Sequence, residues 1–253
     1  MRFIFTGIFI ILLSLFPTHG SGQSIPKEFP PFAVIELFTS EGCSSCPPAD
    51  QFLTKLTVSA HVQKARIFPL AFHVDYWNYL GWVDRYSDSE FSLRQRIYAK
   101  ILKEDNVYTP QMIINGIKEF PGYRSDMALE LINKALNKPA KVGILLSPEI
   151  HKDQKMIAVR YEVWGASPDA ILNLAFVQRG IINEIKAGEN KGLTLQHNNI
   201  VRAFKIVKLD HSQGKVSFKS KEPLHSEFAS IIAYVQDPAT MEILGAENTD
   251  LKF

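Results

Sequence analysis

The chain has little net charge and lacks several familiar catalytic signatures. Its 28 lysine and arginine residues nearly balance 26 aspartate and glutamate residues, which leaves a formal charge of +2 at pH 7. This balance removes any electrostatic case for binding nucleic acid or an acidic membrane surface. There is no GxGxxG, GxSxG or HExxH motif, no internal repeat and no low-complexity segment. With 253 residues, 46% of them hydrophobic, the composition is typical of a globular protein with one large domain or two small ones.

Cysteine is also scarce, because the chain has only two and both lie in the segment EGCSSCPP, residues 41–48. Such a pair can serve as a redox centre, a metal clamp or a structural staple. Cysteines only two residues apart would close a very small loop, and closing it removes little chain entropy. A domain of this size does not need a staple in order to fold. The spacing therefore disfavours the staple.

Long hydrophobic runs are missing apart from one near the amino terminus. This run, Phe3–Phe16, follows Arg2, ends at Pro17 and is shorter than the roughly 18 apolar residues that a membrane-spanning helix requires. Small residues then follow at the spacing that signal peptidase recognises. We predict that residues 1–22 are a cleaved signal peptide, that the mature protein is secreted or periplasmic, and that it is not an integral membrane protein.

Between about residues 30 and 137, strand-like and helix-like patterns alternate. Apolar runs at Phe32–Phe38 and Ala65–Val74 flank an amphipathic helix, and a second helix follows. Asn115-Gly116 separates two short apolar runs and predicts a tight hairpin. Strand–helix–strand units imply parallel neighbouring strands with right-handed crossovers. The pattern predicts a small α/β domain over residues 30–137.

The pattern changes after Asn137–Lys141, a segment typical of a linker. About seven short strand-like runs follow, separated by turn signals such as Gln213-Gly214 and Asp237-Pro238, with no long helical pattern. This half predicts an all-β antiparallel sandwich over residues 141–253. We expect it to bind or dock rather than to form a second enzyme.

The cysteine pair falls between the first predicted strand and the first predicted helix. Open α/β sheets place their sites there, and a helix N-terminus stabilises a thiolate. Cys43 precedes the helix, so we expect it to be the more exposed, attacking thiol, with Cys46 resolving the mixed disulfide. Pro47 and Pro48 remove two N–H donors from the first turn. We therefore expect the pKa of the Cys43 thiol to be lowered only moderately.

Thr109-Pro110 precedes a predicted strand, and X–Pro bonds are where cis peptides occur. A cis bond would expose the backbone N–H and C=O of Thr109 beside the dithiol. An extended substrate chain could pair with these groups by strand addition. The alternative is a trans proline at an edge strand.

These features together resemble the thioredoxin fold: a βαβαββα order, a CxxC after the first strand and Thr-Pro before the hairpin. More narrowly, the chain resembles domain-of-unknown-function family 1223, secreted proteins with a thioredoxin-like domain. The segments that carry this resemblance are VIELFTSEGCSSCPPAD (34–50), FHVDYWNYLGW (72–82), YTPQMIING (108–116), GENKGLTLQHNNIVRAF (188–204) and YVQDPATMEILGA (234–246). The resemblance implies an α/β thioredoxin-like domain followed by an all-β antiparallel sandwich domain, with Cys43 and Cys46 as the dithiol and Pro110 as the cis proline.

Two further groups near the predicted dithiol have competing interpretations. His73 could join Cys43 and Cys46 in a soft metal site, or hydrogen-bond to the backbone. Because only three ligands are visible, we name no metal and no other cofactor. Tyr76, Trp77 and Trp82 could form an apolar rim for a substrate, or pack as a small core. Asp75 could accept a proton from Cys46 or cap the aromatic loop.

The sequence thus predicts an exported thiol–disulfide oxidoreductase that acts through Cys43 and Cys46 on an exported protein substrate or redox partner. Thr109 and Pro110 would present backbone groups to that substrate. Two alternatives stay open. One is a non-catalytic module that binds a partner on the same scaffold, and the other is a copper-handling protein that uses the CxxC and His73.

Overall fold

The structure, a computed structural model, describes residues 28–151, 155–219 and 228–251, so the predicted signal peptide lies outside it. The first half of the chain contains β1 (Ala33–Thr39), α1 (Pro47–Gln63), β2 (Ile67–His73), α2 (Ser89–Leu102), β3 (Gln111–Ile114), β4 (Lys118–Pro121) and α3 (Ser125–Leu136). The second half contains β5 (Gly143–His151), β6 (Met156–Trp164), β7 (Ile171–Gln178), β8 (Ile181–Glu184), β9 (Thr194–His197), β10 (Ile200–Lys208), β11 (Gln213–Lys219), β12 (Ala229–Gln236) and β13 (Ile243–Asp250).

Eight strands drawn from both halves form one mixed sheet, in the order β13-β12-β7-β10-β2-β1-β3-β4. β1 and β2 run parallel, whereas β3 and β4 continue the sheet antiparallel. On the other side, β10 pairs in parallel with β2 through Ile200 and Ala71. The Ala71 amide donates to the Asn199 carbonyl at 3.0 Å. The two halves are therefore joined by backbone hydrogen bonds within a single sheet.

The predicted fold class is wrong. We expected an α/β thioredoxin-like domain followed by an all-β sandwich, but the described residues are mostly β-strand with three α-helices, and strands of the second half extend the sheet of the first. The order of elements from β1 to α3 matches the predicted order. The physical reason lies at β2, a buried apolar strand whose edge needs a partner. No local sequence pattern shows which distant strand provides it.

The two faces of the sheet are covered by different elements. α1 and α3 cover β1 and β3 on one face, where Ile35, Leu53 and Met112 are fully buried or nearly so. α2 covers the opposite face, and the core there belongs to both halves, because Phe38 and Tyr98 pack in one cluster with residues of β7 and β12. The three-stranded sheet β11-β6-β5 forms a second core with β7 and β12.

The predicted hairpin at Asn115-Gly116 is confirmed, with φ values of 47° and 74° at the two positions. A side chain at Gly116 would place its Cβ 1.8 Å from the Met241 carbonyl oxygen. The Asn115 carbonyl also accepts a hydrogen bond from the Ile243 amide at 3.0 Å. This turn therefore needs glycine for its backbone conformation and for its close contact with the second half.

A buried ionic network also joins the halves, and we call it the Glu36 network: Glu36, Arg94, Tyr98, Tyr234 and Gln236. Arg94 contacts both carboxylate oxygens of Glu36, at 2.9 and 3.1 Å, and the hydroxyls of Tyr98 and Tyr234 also donate to that carboxylate. Gln236 accepts from Arg94 and donates to Tyr98. Burial alone would lower the pKa of Arg94, but the Glu36 carboxylate holds it above its ordinary value. Each charge thus has several partners.

Within the residues that the structure describes, no helix combines the length and the apolar character needed to cross a membrane.

Candidate functional site

The cysteine pair lies where β1 gives way to α1. Cys43 and Cys46 are joined by a disulfide, with their Cα atoms 5.5 Å apart. Cys46 is the N-cap residue of α1, and its carbonyl accepts from the amides of Ala49 and Asp50 at 2.9 and 3.2 Å. Pro47 is tolerated at the first helical position because the amides of that turn have no intrahelical partner. The helix therefore begins directly at the disulfide.

Both cysteines are fully buried, whereas Ser44 and Ser45 between them are exposed. The expectation that Cys43 would be the more exposed thiol is therefore wrong. The moderate acidity expected of Cys43 concerns the reduced form, and it stays a prediction. A loop of the second half is hydrogen-bonded to the backbone around the pair.

This loop, residues 188–192, connects β8 to β9, and we call it the cover loop. The side-chain amide of Asn190 donates to the carbonyls of Glu41 and Cys43 at 2.8 and 2.9 Å. The Ser44 amide donates to the Glu189 carboxylate at 3.1 Å. Asn190 is itself buried, so these bonds are shielded from water. The backbone on both sides of the Cys43 carbonyl is thereby bound to the cover loop.

Buried titratable side chains cluster beside the disulfide. We call them the disulfide cluster: Glu41, Asp50, His73, Asp84 and His197. Asp50 follows Cys46 by one turn of α1 and accepts a hydrogen bond from the Thr39 hydroxyl at 3.1 Å. His73 Nδ1 lies 2.7 Å from an oxygen of Asp84, and the same oxygen accepts the Glu41 amide at 2.9 Å. The rings of His73 and His197 lie 4.9 Å apart, centroid to centroid.

The surroundings shift the pKa values of these groups in different directions. Burial alone would raise the pKa values of Glu41 and Asp84, but hydrogen bonds and the neighbouring histidines lower both below their ordinary values. Burial alone would lower the pKa of His73, yet the Asp84 carboxylate raises it. Asp50 differs, because burial raises its pKa and the two histidines only partly oppose this. Asp50 is therefore the acid in this cluster that its environment biases toward holding a proton.

Several polar atoms of the cluster have no hydrogen-bond partner among the described residues: Asp50 Oδ1, His73 Nε2 and both ring nitrogens of His197. His197 Nε2 lies 3.4 Å from the Glu41 carboxylate, which is an ion-pair distance without the geometry of a hydrogen bond. Buried polar atoms are usually paired, so several unpaired ones in one place indicate a site rather than a structural network.

The Thr109–Pro110 peptide bond is cis. The Thr109 carbonyl accepts a hydrogen bond from the Ser45 hydroxyl at 3.4 Å, and that hydroxyl lies 3.4 Å from Cys43 Sγ. The hydroxyl of Thr109 accepts from the Trp77 indole at 2.7 Å. The structure thus brings Thr109 to the edge of the cysteine pair, close to the exposed Ser45.

The predicted aromatic residues also surround the site, but each polar group among them has an internal partner. Tyr76 donates to Gln95 at 3.1 Å, and Trp82 donates to the Glu41 carboxylate at 2.9 Å. Tyr76 and Trp77 also pack against the core shared by both halves. Burial raises the pKa of Tyr76 to about 12. Asp75 accepts from Ser92 at 2.5 Å and so anchors the start of the aromatic segment on α2.

The metal interpretation of His73 finds no support in this geometry. The thiol groups that it required are bonded to each other, and His73 pairs with Asp84. Across residues 28–151, 155–219 and 228–251, no group of three histidine, cysteine, aspartate or glutamate side chains is arranged to hold a metal ion.

Sequence reasoning missed four residues of the site: Asp50, Asp84, Asn190 and His197. A signal was present for Asp50, because its spacing from Cys46 puts both on one face of a helix. No comparable signal marked Asn190, which lies 147 positions from Cys43 in sequence. Only the packing of the second half against the first brings them together.

Comparison with known proteins places this arrangement in a family. A family profile described as "Protein of unknown function (DUF1223)" matches residues 34–236, and the chain belongs to that family. The crystal structure of protein AGR_C_4864 from Agrobacterium tumefaciens is 27% identical, with a TM-score of 0.62, over 87% of this chain and 97% of that one. No match was found among curated protein sequences.

A second solved structure, HBP35 of Porphyromonas gingivalis, aligns with a TM-score of 0.65 over 88% of this chain and 76% of that one. Its sequence identity is 14%, so the likeness concerns the fold alone.

Proposed function

We propose that this protein is an exported thiol–disulfide oxidoreductase whose reactive group is the Cys43–Cys46 disulfide and whose substrate is an exported protein. One observation carries the proposal. The disulfide lies at a helix N-terminus next to a buried cluster of titratable groups, one of which, Asp50, is biased toward its protonated form. Perturbed, incompletely paired groups beside a reactive sulfur are typical of functional sites. Isolated structural disulfides do not need them.

The reaction proceeds by exchange. A substrate thiolate attacks Sγ of Cys43, the Cys43–Cys46 bond breaks, and Cys46 leaves as a thiolate. Asp50, one turn further along α1, gives that thiolate a proton, either directly or through the histidines of the cluster. A second substrate thiolate then attacks the mixed disulfide and releases Cys43. The substrate loses two electrons and gains a disulfide, and the protein is left as a dithiol.

Exchange requires access to the sulfurs, and we infer that the cover loop moves to give it, because both cysteines are buried and the loop is bound to the backbone around them. Gly188 and Gly192 bound this loop with φ values of 74° and 87°, where glycine is preferred. Opening breaks the two hydrogen bonds of Asn190 and the contact of Glu189 with Ser44. A substrate that displaces these bonds would gain access to Cys43, whereas one that cannot displace them would be excluded.

Two measurements test the proposal. Equilibration with redox buffers gives the reduction potential of the pair, and we expect a value above about −300 mV, the level below which structural disulfides typically lie. In the variant Cys46→Ser, the lone Cys43 thiolate should attack the disulfide of an oxidised substrate, which is the reverse of the second exchange step, and trap that substrate as a mixed disulfide. Cys43→Ser should trap fewer. A potential below that level, together with no trapped species, would show that the disulfide is structural.

Burial of both cysteines favours a second candidate, a non-catalytic module that binds a partner. In that case no thiol chemistry is needed, and Ser44 and Ser45, the exposed part of the segment, contact the partner. The double variant Cys43→Ser/Cys46→Ser distinguishes the two candidates. It would lose all exchange under the first, and it would keep full function in the host under the second.

Export is part of the proposal, and it is carried by the apolar run that precedes Pro17. N-terminal sequencing of the protein recovered from the periplasm or the medium should find a chain that begins near Ser21–Ser24. A chain that retains Met1 would contradict cleavage.

A further inference from the structure

A cleft lies at the opposite end of β1 from the disulfide, between α3 and the start of β13. Its volume is about 260 Å³. Most of its wall is apolar and is formed by Phe32, Ile114, Leu131, Ala135, Ala140 and Leu244. Phe32, Ile114 and Ala140 are buried beneath it. The cleft is therefore a preformed apolar hollow built from both halves of the chain.

The rim of this cleft is cationic. The lining residues include one carboxylate, that of Glu242, and four lysines: Lys118, Lys134, Lys138 and Lys141. Lys141 pairs with Glu242 at 2.7 Å, and Lys134 pairs with Glu130 at 2.5 Å. Lys118 and Lys138 are exposed and have no ion-pair partner in the part of the chain that the structure describes. A surplus of positive charge thus surrounds an apolar hollow.

We propose that this cleft binds a small amphiphilic anion, an alkyl carboxylate of the fatty-acid type. Its alkyl chain would lie along Leu131 and Ala135, and its carboxylate would meet Lys118 and Lys138. The volume of about 260 Å³ is just below the roughly 300–1,000 Å³ of sites for drug-sized ligands, and it suits a single short chain. The proposal is independent of thiol chemistry, because the cleft and the disulfide are at opposite ends of β1.

The lysine side chains suit such a ligand for two reasons. Their aliphatic stems cover apolar surface while the ammonium groups stay in water, so they can extend the wall of the cleft around a chain. The ion pairs of Lys134 and Lys141 are exposed and therefore weak, so both side chains can rearrange toward an incoming carboxylate. Charge and apolar contact would thus act on the same ligand.

Calorimetric titration of the mature protein with sodium octanoate tests the proposal. We expect saturable binding of octanoate, with much weaker binding of octanol, which lacks the charge, and of butyrate, which lacks the chain. Lys118→Ala/Lys138→Ala should weaken octanoate binding by about tenfold, a loss of about 1.4 kcal/mol. Lys55→Ala/Lys100→Ala removes the same charge from exposed positions of α1 and α2, and it should leave binding unchanged.

A second variant tests the apolar wall. Ala135→Trp should fill the cleft and abolish binding, while circular dichroism confirms that the protein remains folded. Octanol that binds as tightly as octanoate would overturn the assignment, as would full affinity in either cleft variant. Failure of octanoate to bind, with saturable binding of a short peptide that ends in an apolar residue with a free carboxylate, would assign the cleft to a chain terminus instead. None of these outcomes bears on the disulfide, so they leave the proposed function to its own tests.

Discussion

The Glu36 network and the disulfide cluster are both buried and both charged, yet they are built differently. In the Glu36 network the carboxylate receives Arg94 and two tyrosine hydroxyls, and Arg94 also contacts Gln236. In the disulfide cluster, atoms of Asp50, His73 and His197 stay unpaired among the described residues. A fully paired network holds the structure together, because removing one partner leaves a buried charge unpaired. An incompletely paired cluster can change protonation at lower cost, which is what chemistry beside a disulfide requires.

The largest expected effect comes from breaking the Glu36 network. Arg94→Met leaves the Glu36 carboxylate buried without its cation, and we expect the free energy of unfolding to fall by about 3–5 kcal/mol in urea titrations. Arg96→Met, an exposed position on the same helix, is the control and should change stability by less than about 0.5 kcal/mol. Equal losses in the two variants would show that the network is not structural. Glu36→Gln/Arg94→Met should recover part of the loss, because no unpaired charge remains.

The next effect concerns the cover loop. Asn190→Ala removes two hydrogen bonds worth about 1 kcal/mol each, so the closed state should lose about 2 kcal/mol relative to the open one. If reduction requires opening, the rate of disulfide reduction by dithiothreitol should rise by up to about thirtyfold. Asn133→Ala, at an exposed position of α3, should leave that rate unchanged. An unchanged rate in Asn190→Ala would mean that the loop does not control access.

A smaller effect is expected at Asp50, with opposite signs for stability and function. The pKa of Asp50 is raised in the folded protein. The contribution of this side chain to folding stability is therefore most favourable below the ordinary pKa of 3.8, and it is lost as the pH rises through the folded pKa. Asp50→Asn should therefore raise the free energy of unfolding at pH 7 by about 1 kcal/mol and have little effect in strong acid.

Exchange should nevertheless be slower in Asp50→Asn, because the proton donor to Cys46 is missing. The exposed Asp105→Asn is the control for both measurements. A variant with unchanged stability and an unchanged exchange rate would place Asp50 outside the mechanism.

The smallest expected effect is a change in the rate of disulfide reduction when the protein is acidified. Glu41 accepts hydrogen bonds from Trp82 and Asn183. Its pKa is lowered in the folded protein, so its contribution to folding stability is present above the ordinary pKa of 4.5 and is lost as the pH falls through the folded pKa. Reduction by a phosphine, which acts in acid, should therefore accelerate about fivefold below that pKa. Glu41→Gln should flatten most of this rise. Asp84 also has a lowered pKa, so a residual rise would report that group, and an unaltered profile would exclude Glu41.

Local sequence patterns were sufficient for the order of elements up to α3 and for the position of the cysteine pair. The order of strands and helices up to α3, the hairpin at Asn115-Gly116 and the start of α1 beside the cysteine pair all depend on residues close together in the chain. Periodicity, turn chemistry and proline placement act over such short distances. These elements can therefore be inferred without knowledge of the tertiary structure.

Tertiary structure alone decided that the two halves share one sheet, that Cys43 is covered and that Asp50 stands among histidines. β10 pairs with β2 across about half the chain, and Asn190 reaches Cys43 from 147 residues away. Such contacts depend on which exposed edge and which polar atoms remain to be satisfied after the local elements have formed. EGCSSCPP by itself predicted a cysteine pair at a helix start. The loop that is bound to it and the neighbouring His197 came from the second half, because pairing of the β2 edge brings that half against the site.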